Sequence, residues 1–182
     1  MINFGHGVML GAMSDNCDSG MYRLWRNDYA IWKWCRQHTV IDRAAHERWL
    51  KKILEDPSIK MFEIVTSYNS AIGVCGFTDI DRLNQRAEFS LYIAPAYQGK
   101  GYAKAALKTL FSHGFMNQNF HVIWGETFDG NKAYNLFLDL GMKHEGVRRD
   151  FYFKDGHFIN AHLISLTRDD YWGLPWSNTK QC

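Results

Sequence analysis

The residues Gln98-Gly99-Lys100-Gly101-Tyr102-Ala103 point most directly to a chemistry in this chain of 182 residues. They stand between a strand-like stretch, AEFSLYI (Ala87 to Ile93), and a stretch rich in Ala, Leu and Lys with the composition of a helix. A helix N-terminus presents N–H groups that have no partner within the helix, together with a partial positive charge, so anions bind there. Gly99 and Gly101 let the backbone approach a ligand with no Cβ in the way. The chemistry implied is a grip on phosphate, and the spacing limits whose phosphate it is. A P-loop needs G-x-x-x-x-G-K-[ST]. Here Gly99-Lys100 is followed by Gly101, and Ala94 stands where the first glycine belongs. A dinucleotide turn needs G-x-G-x-x-G, but Lys104 occupies the place of the third glycine. Glu126 follows on the next strand as a dinucleotide site would want, yet antiparallel-looking strands precede the turn and a hairpin closes the chain. A Rossmann-type binder is the weakest of the readings kept.

The third owner of the phosphate is coenzyme A, and it enters through a resemblance. Gln98, Gly101 and Ala103 match the Q/R-x-x-G-x-G/A signature of the GNAT superfamily of N-acetyltransferases. AEFSLYIAPAYQGKGYAKAAL is similar throughout to that family's fourth strand, loop and third helix. NKAYNLFLDLGM (Asn131 to Met142) resembles a second family segment, an Asn opening a helix that ends in Leu-Gly-Phe, with Met142 in place of the Phe. LWRNDYAIWKW followed by AHERWL is similar to the acceptor-side helices of the branch typified by the RimJ and RimL ribosomal-protein acetyltransferases. That branch also includes amino-sugar acetyltransferases. The resemblance spans roughly Met9 to Leu166, with little weight on the N-terminal strand and the last sixteen residues.

What the resemblance implies is an α/β fold with a GNAT-like mixed central sheet, a splayed cofactor cleft, flanking helices and a C-terminal β-hairpin. Acetyl-coenzyme A is the implied acyl donor. Leu91, Tyr92 and Ile93 would offer backbone hydrogen bonds to the pantetheine arm. Gln98, Gly99, Lys100, Gly101, Tyr102 and Ala103 would cradle the pyrophosphate, with Asn131 bonding the pantetheine from the other side. Lys104 reads as a solvent-facing helix residue. Acetyl transfer needs a neutral amine, and an alkyl amine has a pKa near about 10.4, so a base helps at neutral pH. By resemblance Glu126, five residues before Asn131, is the first choice and Glu88 the second. A backbone N–H near Ile93 would polarise the thioester carbonyl. The family's thiolate-protonating tyrosine stands four residues before the Gly of Leu-Gly-Phe, and that position here is Phe137, counted with the cofactor-binding set. Tyr134, one helical turn earlier, is the substitute acid; a water, or no acid at all, are the other options. A non-catalytic coenzyme A-binding module is the alternative that Phe137 raises.

These residues need elements to hold them. YRLWRNDYAIWKWCRQ (Tyr22 to Gln37) reads as helical. IDRAAHERWLKKILED (Ile41 to Asp56) reads as a clearer helix, capped by Asp42, with Ala45, Trp49 and Ile53 at helical spacing and Pro57 ending it. MFEIVTS and AIGVCGFTDI flank the turn-like YNS as a hairpin, and AEFSLYI is a third strand. After the glycine turn and its helix come a strand (His121 to Phe128), a helix (GNKAYNLFLDLG) and a hairpin about Asp155-Gly156. The order suits one α/β domain, 1–182, around a central sheet.

Composition narrows the partners. A net charge of +2 does not indicate a nucleic-acid binder, so nucleic acid stays only one acceptor among several. The stretch from Arg23 to Lys52 carries eight Lys and Arg against three acids, an excess that fits either an anionic partner or a solvated helix face. Trp25, Trp32, Trp34 and Trp49 read more as core than as stacking platforms. The four cysteines are scattered, and His157 and His162 fall in opposite facing sets of a strand, so no metal site is expected. No G-x-S-x-G elbow is present. No apolar run reaches the roughly 20 residues of a membrane span, and the N-terminus lacks a signal peptide's pattern, so a cytoplasmic location is expected. A homodimer is implied only by analogy with the family.

Overall fold

The computed structural model describes residues 1–13 and 19–177, so Cys17 and Cys182 lie outside them. Stretches rich in β-branched and aromatic residues form the strands β1 (Met9–Ala12), β2 (Lys60–Val65), β3 (Ala71–Asp81), β4 (Arg86–Ile93), β5 (Val122–Phe128), β6 (Lys143–Lys154) and β7 (His157–Thr167). They join in one sheet of seven strands in the order β1-β2-β3-β4-β5-β7-β6. Every neighbouring pair is antiparallel except β4 and β5. A doubly wound parallel sheet, which a Rossmann binder needs, is therefore not what this chain builds.

Helices cover both faces. They are α1 (Ser19–Asn27), α2 (Tyr29–Trp32), α3 (Arg43–Glu55), α4 (Tyr102–Met116), α5 (Ala133–Asp139) and α6 (Arg168–Trp172). Alternation along β4 shows how one strand serves two cores. Phe89 and Ile93 join α4, α5 and most of the sheet in the larger cluster, whereas Tyr92 joins Tyr22, Ile31 and Ile53 of α1 to α3 in the smaller one. In the larger cluster the Phe89 ring meets Phe111 of α4 and Phe137 of α5 edge to face, with centroids 5.4 and 5.1 Å away.

Two expectations change. The segment Tyr22 to Gln37 is not one helix: Asp28 interrupts it and caps α2, its carboxylate accepting from the Ala30 N–H at 2.8 Å. Residues 33–36 follow as turns and bends, and the carbonyls of Trp32, Cys35 and Gln37 accept from Lys154 of β6. The chain ends also contribute more than the sequence shows. Phe4 and Tyr171 are fully buried, and the Tyr171 hydroxyl donates to Ser112 Oγ at 3.0 Å. Asp42 does cap α3, accepting from the Ala45 N–H at 2.7 Å.

Candidate functional site

The parallel pair is short. β4 and β5 are in register only at Arg86, Ala87 and Glu88 against Val122, Ile123 and Trp124. Beyond Glu88 the two strands diverge, and the edges of Phe89 to Ile93 and Gly125 to Phe128 face each other unpaired. Gly125 is the residue that permits this. A Cβ there would lie 2.5 Å from the Phe89 ring, which fills the space over the Gly125 backbone. The divergence opens into a cleft of about 860 Å3, lined on one side by Leu91, Tyr92, Ile93, Gln98 and Ala103 and on the other by Thr127, Asn131 and Phe137. The Thr127 hydroxyl is buried with no partner. Asn131 turns its Oδ1 to the Ala133 N–H at 3.0 Å, which opens α5 and leaves the Nδ2 donor toward the cleft.

At the rim sits the glycine turn. Gly99 and Gly101 hold φ of +73° and +82°, with open space where a Cβ would stand. Gln98 braces the turn by donating from Nε2 to the Ile93 carbonyl at 2.9 Å. Lys100 is folded back: its ammonium donates to the Ala96 carbonyl at 2.9 Å and lies over the Tyr97 ring. The first N–H of this segment to find an acceptor is that of Ala105, on the Gly101 carbonyl at 3.2 Å. The six N–H groups from Gly99 to Lys104 have no acceptor among the described residues. Together they make an exposed, preorganised anion site leading into the cleft.

The opposite end of the cleft carries the acids. Glu88 and Glu126 are 8% and 3% exposed, and the Arg36 guanidinium spans them, bonding Glu88 and lying 3.1 Å from Glu126 Oε1 through Nε. Glu126 also receives Arg148 Nη1 at 3.0 Å and the Tyr152 hydroxyl. Glu88 receives in addition only the Thr78 hydroxyl, at 3.1 Å. Burial and the Glu126 carboxylate push the Tyr152 phenol up to about 12, so it stays a donor. Burial works against the charge on Arg36, but the two carboxylates outweigh it and raise its pKa further. The loop that carries Arg36 is held from below by Lys154 at the tip of β6. Its ammonium donates to the carbonyls of Trp32 at 2.6 Å, Gln37 at 3.2 Å and Cys35.

The sequence-derived candidates therefore divide. Glu88, Glu126, Leu91, Tyr92, Ile93, Gln98, Ala103, Asn131 and Phe137 line one cleft, and Gly99, Lys100, Gly101 and Tyr102 form its rim. Tyr134 does not line the cleft; its ring packs at a tilt against His162, with centroids 4.9 Å apart, and edge to face with His144 at 6.1 Å. His162 bonds Asp129, and no group of three or more metal-ligating side chains occurs among the described residues. The positive segment splits as well. Arg43, Lys51 and Lys52 are exposed on α3 in i,i+4 pairs with Glu47, Glu55 and Asp56, a solvated face. Arg26, Lys33 and Arg36 line the cleft. Trp25 and Trp49 pack in the smaller core, whereas Trp34 lines the cleft. Arg36, Arg148, Tyr152 and Lys154 were not singled out from sequence; their only signal was the local charge excess around Arg36.

Residues 8–143 match a family model described as Acetyltransferase (GNAT) domain. The chain is 31% identical over 121 residues to the uncharacterized N-acetyltransferase p20 of Bacillus licheniformis, covering 66% of this chain and 68% of that protein. It is 25% identical over 126 residues to a spermidine N(1)-acetyltransferase of Vibrio cholerae, covering 69% of this chain and 73% of the relative. In fold it is similar to the crystal structure of spermidine N-acetyltransferase from Vibrio cholerae in complex with CoA and spermine, with a TM-score of 0.86 at 22% identity over 91% of this chain and 98% of that one.

Proposed function

The chain belongs to the GNAT family of acetyltransferases, and on that premise we propose that it moves an acetyl group from acetyl-coenzyme A to a primary amine by direct attack in a ternary complex. The family places it among acetyl-CoA-dependent N-acetyltransferases. The observation that carries the residue-level reading is the continuous path from the unpartnered N–H groups of Gly99 to Lys104 into the splay between β4 and β5. A pyrophosphate suits the first, and an extended amide chain suits the open edges of Leu91 to Ile93 with Asn131 and Thr127 opposite.

In this reading the amine nitrogen attacks the thioester carbonyl carbon and the C–N bond forms as charge moves to the oxygen. An N–H near Ile93 stabilises that charge. The C–S bond then breaks and sulfur leaves with the bonding pair. Glu126 and Glu88 are the groups proposed to take the amine proton. Both carboxylates have a donor on each oxygen and must release one to act: Arg36 and Thr78 hold Glu88, whereas Arg36, Arg148 and Tyr152 hold Glu126, so Glu88 is the less tightly held. Phe137, at the position of the family's acid, has no hydroxyl, and Tyr134, the substitute, packs beside His144 and His162. A thiol with a pKa near about 8.5 leaves adequately as thiolate, so water suffices to protonate it. Three acceptors remain in play: a protein N-terminus, a nucleotide-linked amino sugar and an amino-modified base. The chain is proposed to act as a single domain in the cytoplasm.

The test is turnover with an amine panel, following free thiol from acetyl-coenzyme A, beside calorimetry with coenzyme A. Micromolar binding and thiol release with at least one amine are expected. Binding without turnover on any amine would favour a non-catalytic module, and no binding would sink the reading. Glu126→Gln and Glu88→Gln should each depress kcat, most strongly at low pH where the amine most needs a base. The larger loss identifies the base.

A further inference from the structure

We propose that Arg26 and Tyr92 form an anion subsite in the acceptor half of the cleft, so that the amine acetylated here is a small molecule bearing a carboxylate or phosphate. This rests on the acetyltransferase reading above and specifies its acceptor. Tyr92 lies on β4 two residues from Ser90 and four from Glu88, on the face turned to α1 and α2. Its side chain is more than nine-tenths buried and lines the cleft, yet its hydroxyl has no hydrogen-bond partner. A buried phenol O–H without an acceptor is destabilising, and a ligand oxygen removes that cost. Burial raises the phenol's pKa despite the opposing pull of Arg26, so at neutral pH it keeps the proton that it can donate.

Arg26 supplies the charge. Its guanidinium lies 5.6 Å from the Tyr92 ring centre and lines the same cleft. Its Nε is buried without a partner, and its one hydrogen bond is a long one, from Nη2 to Gln37 Oε1 at 3.3 Å. Among the described residues no carboxylate lies within ion-pair distance of it. The acids at this end of the cleft are already matched. Arg36 and Arg148 neutralise Glu88 and Glu126. The other lining cations are Lys33, which lies over the Tyr29 and Trp34 rings, and Lys132 beside Asn131, and neither has a carboxylate partner among the described residues. The uncompensated field of this half is therefore positive. A planar guanidinium with free donors beside a phenol O–H is suited to a carboxylate or phosphate, and a polyamine with several positive charges meets repulsion there.

Matched pairs of amines test this, because each pair differs only by the anion: cadaverine against L-lysine, and glucosamine against glucosamine 6-phosphate, with spermidine as a further polycation. Thiol release gives kcat/KM, and calorimetry in the presence of coenzyme A gives affinity whether or not turnover occurs. The anionic member of at least one pair should exceed its partner about tenfold or more, and which pair responds tells carboxylate from phosphate. Arg26→Met and Tyr92→Phe should each erase most of that preference, and Arg26→Met should do so with the affinity for coenzyme A unchanged. Tyr92→Phe removes a hydroxyl that bonds nothing in the protein, so its folding is not in question. Equal use of both members in both pairs, preference for spermidine, or variants that weaken both members alike would overturn the subsite. Should no amine turn over, the affinities alone decide it. Failure of coenzyme A to bind would count against the acetyltransferase reading and not against the subsite.

Discussion

Arg36 holds two buried carboxylates apart from each other's charge, and in doing so it occupies the space where either would meet a substrate ammonium. Arg148 stays with Glu126 when Arg36 is removed, but Glu88 is left without a cation among the described residues. Arg36→Met should therefore lower the melting temperature by several degrees, and Arg36→Met with Glu88→Gln should recover part of that loss. Equal melting temperatures for the native chain and Arg36→Met would show that the pair contributes no stability. Phe137 poses the reverse question. It is 6% exposed in the cleft and packed edge to face on Phe89. Because a thiolate is already a fair leaving group, Phe137→Tyr should change kcat by less than about tenfold and leave the affinity for coenzyme A within about twofold. A rise of a hundredfold would mean that proton delivery to sulfur limits the native enzyme.

Among the elements, the glycine turn was legible in sequence because everything it does is local. Strand, turn and helix follow within twenty residues, and the unpartnered N–H groups follow from where α4 begins. At the other end of the cleft Glu88 and Glu126 were legible but the groups that hold them were not, because those contacts span the chain. Arg36 reaches Glu88 across 52 residues, and Lys154 reaches the carbonyl of Gln37 across 117. Periodicity also read through Asp28, since a residue that caps one helix looks from sequence like one inside another. Lys154 shows what such a long-range contact controls. Burial lowers its pKa, and three loop carbonyls accept hydrogen bonds from its ammonium. Lys154→Met leaves those carbonyls without a donor, at about 1–3 kcal/mol for each that water cannot reach. The expected result is a KM for the acceptor raised about tenfold or more with little change in the affinity for coenzyme A. On the other wall, Gly125→Ala drives a methyl group into the Phe89 ring. It should weaken coenzyme A binding at least tenfold by calorimetry, through a distorted cleft.

For the whole molecule, the order of the sheet was only partly legible, because the hydrophobic pattern finds strands without saying which edges are left open. Acid sensitivity belongs at this scale. Burial, helped by Lys60, lowers the pKa of His113 on α4 to about 4 from an ordinary 6.5. The unfolded chain takes up that proton at a higher pH than the folded one does. His113 thus contributes stability that is fully present above about pH 6.5 and lost as pH falls through about 4. Melting temperatures of His113→Leu should depend less on pH across that window than those of the native chain, and parallel curves would remove His113 from the account. No described helix is long and apolar enough to cross a membrane. The short register of β4 with β5 has a consequence for folding as well as for chemistry. Past Glu88 the sheet has two inner edges where most sheets have none, and the donor's amide arm can serve there as a strand made of another substance. Hydrogen exchange should then be fast without coenzyme A and slow with it at those alternate N–H groups of Phe89 to Ile93 that do not bond β3. At a hundredfold excess over Kd the ligand adds about 2.7 kcal/mol to global stability. In that sense the coenzyme completes the sheet it will react in.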